Sequence, residues 1–303
     1  MSENLIKLDD HDLQGIDINT IGNSCDGLFC LTNKKTNYQL EQEDVEIPCI
    51  YLWNPSIRIV KKLPESFSES PFTQKDCTPI RIMNSLCGVG FDTQNNDHKV
   101  IQIIYKISRG PNSTYDTMSR VYSMRPNSWR WLECNPPYDT VPLNAETFTS
   151  SINGSLYWII PQCIMNFSFS NEIFQKITLP FDENTNTTES KGLCGTIVGS
   201  IEKSLTLFVQ RDKSVCVWLM KGLSEGGIGS WTKKFTIKVE NCKVWPINFG
   251  LDGKILLMRG FETILELWDL EKQTFEGFDI DEDDDVDVYT YSDSLVLLHQ
   301  GST

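Results

Sequence analysis

The chain has 303 residues, 40% of them hydrophobic and 22% charged, and its 27 basic against 41 acidic side chains leave a formal charge of −14. That length accommodates two average domains or one large all-β or α/β unit, and so much apolar material argues against wholesale disorder. The acidic balance argues against a general nucleic-acid or anionic-membrane binder, because both need a basic face to displace counterions, although a local basic patch stays compatible with it.

Short strand-like runs dominate, and long apolar stripes at helical spacing are missing. In chain order the runs are Leu28–Leu31, Cys49–Trp53, Lys99–Tyr105, Ser119–Met124, Leu205–Val209, Val215–Met220, Lys254–Met258, Thr263–Trp268 and Ser294–Leu298. All are rich in β-branched and aromatic residues. Turn signals separate them, among them Asp26-Gly27, Asn54-Pro55, Asn153-Gly154 and Asp252-Gly253. Gly27, Gly154 and Gly253 stand where a tight turn calls for positive φ. No run approaches the roughly 20 apolar residues that cross a bilayer. Met1–Asp10 has no basic n-region and no apolar h-region, so no secretory signal is expected. The ten cysteines are scattered singly, and Cys30, Cys49, Cys163, Cys194 and Cys216 sit in apolar segments. Buried free thiols in a cytoplasmic or nuclear protein are expected, not disulfides. Asn-x-Ser/Thr matches at Asn112, Asn153, Asn166 and Asn186 then carry no glycosylation meaning.

The runs repeat weakly at a period of roughly 40–50 residues, as propeller blades do. Complete units cover Asn23–Pro64, Cys87–Glu133, Ser151–Pro180, Cys194–Lys238 and Lys243–Ile280. A partial unit, Asp287–Leu298, supplies two strands, and Asn4–Asp10 with Leu13–Ile18 supplies two more. Pairing both termini in one blade would close a ring and remove exposed sheet edges. The fold class expected is therefore all-β: a six-bladed β-propeller of four-stranded antiparallel blades, its closing blade shared by the two termini, with residues 1–303 as a single domain. A β-sandwich or two stacked barrels is the alternative.

Several segments together identify a family. Gly22-Asn-Ser-Cys-Asp-Gly-Leu-Phe-Cys-Leu31, Leu52-Trp-Asn-Pro-Ser-Ile-Arg58, Gly90-Phe-Asp92 with Asn96-Asp-His-Lys-Val100, Val121-Tyr-Ser-Met124 with Asn127-Ser-Trp-Arg130, Asn153-Gly-Ser-Leu-Tyr-Trp158, and Val217-Trp-Leu-Met-Lys221 with Ser230-Trp-Thr-Lys233 follow one another in the family's order. The chain resembles the plant F-box-associated interaction domain, a kelch-like propeller. The resemblance implies a protein-interaction domain that selects substrates for a cullin-type ubiquitin ligase. Members usually carry a helical F-box upstream, the part that docks on the Skp-type adaptor. Strand-like Leu5–Leu8 begins almost at Met1, so adaptor and cullin are expected as partners only where an F-box precedes this chain.

Catalytic signatures are sparse. The histidines are His11, His98 and His299, and no pattern brings one to a nucleophile. There is no G-x-S-x-G, Gly-rich phosphate loop or H-E-x-x-H. Cys25 and Cys30 are spaced C-x4-C with no second pair, a poor zinc signal, and Cys25 beside Asp26 is a poor catalytic thiol. The acidic run Asp279–Asp287 lacks a calcium loop's glycine, with Asp284 at the sixth position and Thr290 at the twelfth. No cofactor and no metal are expected. Trp53, Trp129, Trp158, Trp218, Trp231 and Trp268 are expected to pack between neighbouring sheets. The long connections Thr32–Pro48 and Glu65–Met83, with Ser108–Met118, Asn135–Glu146 and Asp182–Lys191, are where a propeller carries function. Asn84, Thr147, Trp245 and Tyr289 are placed around the channel mouth, with Arg81, Tyr138 and Arg211 on adjacent loops. These seven are the candidate binding residues, since aromatic and arginine side chains anchor interfaces. A protein partner is expected first; a stand-alone propeller binding or converting a small molecule at the channel mouth is the second reading.

Overall fold

The computed structural model describes residues 13, 16, 18, 20–33, 48–65, 80–108, 115–136, 149–160, 163–180, 197–201, 204–211, 214–222, 229–238, 244–249, 254–259, 264–269, 271–278 and 291–298. Within them lie five four-stranded sheets, each built from strands consecutive in the chain. The first holds β1 (Thr20–Cys25), β2 (Leu28–Asn33), β3 (Cys49–Asn54) and β4 (Ile59–Lys62). The second holds β5 (Ile80–Asp92), β6 (Asp97–Ser108), β7 (Tyr115–Ser123) and β8 (Ser128–Trp131). The third holds β9 (Thr149–Ile152), β10 (Ser155–Ile160), β11 (Cys163–Ser168) and β12 (Ile173–Thr178). The fourth holds β13 (Ile197–Ile201), β14 (Ser204–Arg211), β15 (Ser214–Lys221) and β16 (Ser230–Lys238). The fifth holds β17 (Val244–Phe249), β18 (Lys254–Arg259), β19 (Ile264–Asp269) and β20 (Thr274–Phe278).

The turns follow from local chemistry. Asp26 and Gly27 have φ of 49° and 74°, and Asn153 and Gly154 of 50° and 73°. Positive φ at both central residues makes each a two-residue turn whose twist matches the flanking strands. Gly253 lies outside the described residues. A second device was not apparent in the sequence. Asn54, Asp92 and Asp269 end β3, β5 and β19, and each turns its side-chain oxygen onto backbone N–H groups of the following turn. Such bonds satisfy donors that the strand ladder leaves behind.

The chain forms two compact units. In the unit that contains the first two sheets, Leu28, Cys30, Ile50, Leu52 and Leu63 pack against Cys87, Val89, Val100 and Tyr122. Asn23 acts as a surrogate strand here: its amide donates to the Val89 carbonyl at 2.7 Å and accepts from the Val89 N–H at 2.8 Å. β5 also needs glycine. A Cβ on Gly88 would lie 2.2 Å from Leu156 Cδ2, and one on Gly90 2.0 Å from Phe169 Cε2. In the other unit Phe208, Val215, Val217, Ile237, Ile255 and Leu257 form the core, with Trp268 and Phe275 against it. Trp231 donates its indole N–H to the Thr178 carbonyl at 2.7 Å. Trp53 and Trp158 are buried, while Trp129, Trp218, Trp231 and Trp268 are half-buried.

Two expectations are corrected. Five sheets, not six, are present among the described residues. Tyr291–Leu298 forms no strand. Its backbone is met another way: the Asn54 side-chain amide donates to the carbonyls of Ser294 at 3.2 Å and Val296 at 3.0 Å, and Leu298 enters the core of the first two sheets. Tyr291 stacks on Phe29, and Leu13 and Ile18 pack on the same Phe29–Leu31–Trp53 cluster. The two ends of the chain thus meet on the first sheet through side chains. The remaining closing segments, Asn4–Asp10 and Asp287–Thr290, lie outside the described residues. The second correction concerns β5, which starts at Ile80 and not near Cys87. β6 is long enough to offer it ladder partners as far as Ile107 and Ser108, with a register shift between Ile82 and Asn84.

Candidate functional site

The first polar cluster is a charged lock. Lys99, on β6, places its ammonium 2.6 Å from Asp92 and 2.7 Å from Glu172, and donates to the Phe169 carbonyl at 3.2 Å. Arg130 pairs with the other Glu172 oxygen. Asp92 is fully buried and also accepts from Asn95 and Ser170. Burial alone would push the Asp92 carboxyl up, but the hydrogen bonds from Asn95, Lys99 and Ser170 outweigh it and hold the group well below the usual carboxylate range. Glu172 is lowered in the same sense, its own burial being outweighed by Lys99 and Arg130. For Lys99, desolvation is overcome by the two carboxylates, which raise its pKa. All of these charges are spent on one another, so the cluster fixes structure.

The second cluster is of a different kind. Strand register puts Arg120 opposite Trp131 and Tyr122 opposite Trp129 on one face of β7 and β8. The Arg120 guanidinium lies 4.3 Å from the Trp129 ring centroid, and its Nε donates to Gln102 at 2.7 Å. Gln102 in turn donates to Ser85. Arg120 is 4% exposed, and burial lowers its pKa to about 10, which leaves it protonated at neutral pH. Lys61, on β4, reaches over the Tyr122 ring at 5.8 Å and is 6% exposed. A small depression opens above this stack, lined by Cys49, Leu63, Pro64, Glu65, Arg120 and Trp129 among others.

Nucleophilic chemistry finds poor material in the third cluster. Burial, then the Asp26 charge, pushes the Cys25 thiol up to about 12, so it stays protonated and a weak nucleophile. His98 bonds to Asp26 at 3.1 Å and packs on Phe91. Cys30 and Cys87 are buried free thiols with sulfurs 3.4 Å apart, and Cys25, Cys49, Cys134, Cys163 and Cys216 are free as well. Among the described residues, no group of three or more His, Cys, Asp or Glu is placed to hold a metal ion.

Residues 1–297 match the family described as the F-box associated beta propeller domain. The chain belongs to that family. Its four-stranded sheets are therefore blades of an all-β propeller. An Arabidopsis thaliana relative, F-box/kelch-repeat protein At3g23880, is 23% identical over 274 residues, covering 88% of this chain and 65% of its own. Another Arabidopsis thaliana relative, described as an F-box protein, is 25% identical over 246 residues, 76% of this chain and 47% of its own. The propeller domain thus spans about half the length of the curated relatives it matches. Among solved structures, a NanB sialidase from Streptococcus pneumoniae covers 90% of this chain and 62% of its own at 7% identity and a TM-score of 0.42, a likeness that carries no argument about activity.

Four of the seven candidate residues lie among the described residues. Arg81 and Asn84 both lie in β5, opposite Ile107 and Tyr105, so Arg81 stands in a strand and not on a loop. Arg211 is the last residue of β14, opposite Ser214, also within a strand. Trp245 lies near the start of β17, opposite Met258. Tyr138, Thr147 and Tyr289 lie outside the described residues. Arg120, Lys61 and Trp129 were not singled out for binding. The available signal was the alternation Arg120-x-Tyr122 facing Trp129-x-Trp131, a basic residue on an otherwise aromatic face.

Proposed function

We propose that this domain is a protein-interaction module that presents a partner for ubiquitination when joined to an F-box. The single observation that carries the reading is its membership of the F-box associated beta propeller family across residues 1–297. It is supported by relatives whose names call them F-box proteins and which extend well beyond the matched region. The buried Lys99–Asp92–Glu172 cluster also suits it, because it fixes a rigid scaffold. The reading includes a cytosolic or nuclear setting, supported by Cys30 and Cys87, whose sulfurs lie 3.4 Å apart without being joined.

The test is affinity purification of the protein expressed from its native transcript, with and without proteasome inhibition. Recovery of a Skp-type adaptor, a cullin and a protein whose abundance rises on inhibition is the expected result. An isolate in which no protein associates through this domain overturns the reading.

A further inference from the structure

We propose that Cys30 and Cys87 form a site of reversible oxidation, at which hydrogen peroxide joins the first blade to the second through a disulfide. The inference stands apart from the interaction reading and rests on where the fold puts two thiols. Cys30 lies in β2, opposite Leu52, and Cys87 lies in β5, opposite Gln102. They are 57 positions apart in the chain, yet their sulfurs lie 3.4 Å from each other, with the Cys30 S–H directed at the Cys87 sulfur. A disulfide needs a separation of about 2.05 Å, so closing the bond asks for a movement of only about 1.4 Å.

The seam around the pair is held in register. Two residues beyond Cys87, the Val89 N–H and carbonyl are both bonded to the Asn23 side chain of β1. Gly88, between them, has no room even for a Cβ, which would meet Leu156 at 2.2 Å, so β5 is fixed in place there. Leu28, Leu52, Val89 and Val100 pack with both cysteines in one core. Two reactants kept in contact by the rest of the fold have a high effective concentration for one another, and this favours a disulfide over two free thiols. The two sulfurs differ in role. The bond to Cys87, and then burial, raise the Cys30 pKa and keep that thiol protonated. Cys87 is 8% exposed against 0% for Cys30, so Cys87 is the sulfur that meets the oxidant.

The Cys87 thiolate attacks one peroxide oxygen. An S–O bond forms, the O–O bond breaks, and the departing hydroxide takes up the proton that Cys87 released, leaving a sulfenic acid and one water. The Cys30 sulfur then attacks the Cys87 sulfur. The S–S bond forms, the S–O bond breaks, and hydroxide leaves with the Cys30 proton as a second water. The two thiols lose two electrons, and one peroxide is reduced to two waters.

The experiment treats the folded full chain with dilute hydrogen peroxide, unfolds it in N-ethylmaleimide to block the remaining thiols, and maps disulfides by mass spectrometry. The expected product is a Cys30–Cys87 linked peptide, about 2 Da lighter than its two thiol peptides together and cleaved by dithiothreitol. The linked protein should melt at least about 5 °C above the reduced one, because the bond restrains a long loop of the unfolded chain. Dithiothreitol should reverse that rise, and Cys87→Ala should lack both the peptide and the rise. The mapping on the unaltered chain decides the matter even where Cys87→Ala does not fold. Full blocking of both cysteines after peroxide, a linked pair no more abundant than pairs with other cysteines, or an unchanged melting temperature overturns the assignment. The purification test is independent of all these results.

Discussion

Lys99→Met keeps the aliphatic stem and removes the ammonium lying 2.6 Å from Asp92 and 2.7 Å from Glu172. At an effective dielectric near 20, a unit pair at that separation attracts by roughly 6 kcal/mol, most of which offsets the desolvation of the two ions. Removing one partner alone keeps the burial cost and loses the attraction, so the expected loss of stability is about 3–5 kcal/mol. For a cooperative unit of this size, Tm should fall by about 6–20 °C. The pH dependence has a definite sign. The folded Asp92 and Glu172 carboxyls sit below their unfolded values, so the folded state binds fewer protons. Their contribution is complete above the unfolded pKa near 4 and is lost as pH falls through it toward the folded values. Methionine abolishes the depression caused by Lys99, so the deficit of the variant should be largest at about pH 7 and shrink below about pH 4. Arg130, with its side chain 58% exposed, supplies the contrast: Arg130→Met should cost under about 1 kcal/mol. Urea melts at both pH values check the set. A Lys99→Met deficit below about 1 kcal/mol, or one that does not change with pH, would refute the lock.

Gly90→Ala should destabilise by about 1–3 kcal/mol, because the new Cβ meets Phe169, whose ring is fixed edge-on against Phe167. Gly277→Ala, with nothing within 4 Å, should be nearly neutral, and equal urea midpoints for the two would contradict the close approach of the blades. With the Cys25 thiol at about 12, roughly one molecule in ten thousand is thiolate at pH 8. Iodoacetamide should therefore leave it unmodified in the folded protein while labelling it in urea, and mass spectrometry showing similar rates would sink that account. Leu298→Ala should cost about 2–4 kcal/mol, since Leu298 is 3% exposed in the core. Leu295→Ala, at 84% exposure, should change stability by less than about 0.5 kcal/mol; the reverse order in thermal melts would show that the carboxyl-terminal run is not anchored as described.

Local pattern settled a great deal by itself. Short β-branched and aromatic runs, their weak repeat and the Asp-Gly or Asn-Gly turns determined that the chain is all-β, where its five complete units lie apart from the start of β5, and which hairpins turn tightly at Gly27 and Gly154. These properties depend on neighbours in sequence, and the sequence states them directly. Tertiary structure decided the rest. The apolar run Ser294–Leu298 reads as a strand, but it does not show whether a neighbouring strand or the Asn54 side chain meets its carbonyls, and here the side chain reaches those of Ser294 and Val296. Gly88 and Gly90 read as ordinary strand glycines until Leu156 and Phe169 occupy the space a Cβ would need. Lys61 reads as one of two exposed lysines in a row, yet its neighbour on the fold is the Tyr122 ring, 61 positions further along the chain, and not water. Which polar groups end up buried, paired or left over is a property of three-dimensional neighbours, and only the packing of one blade on the next determines it.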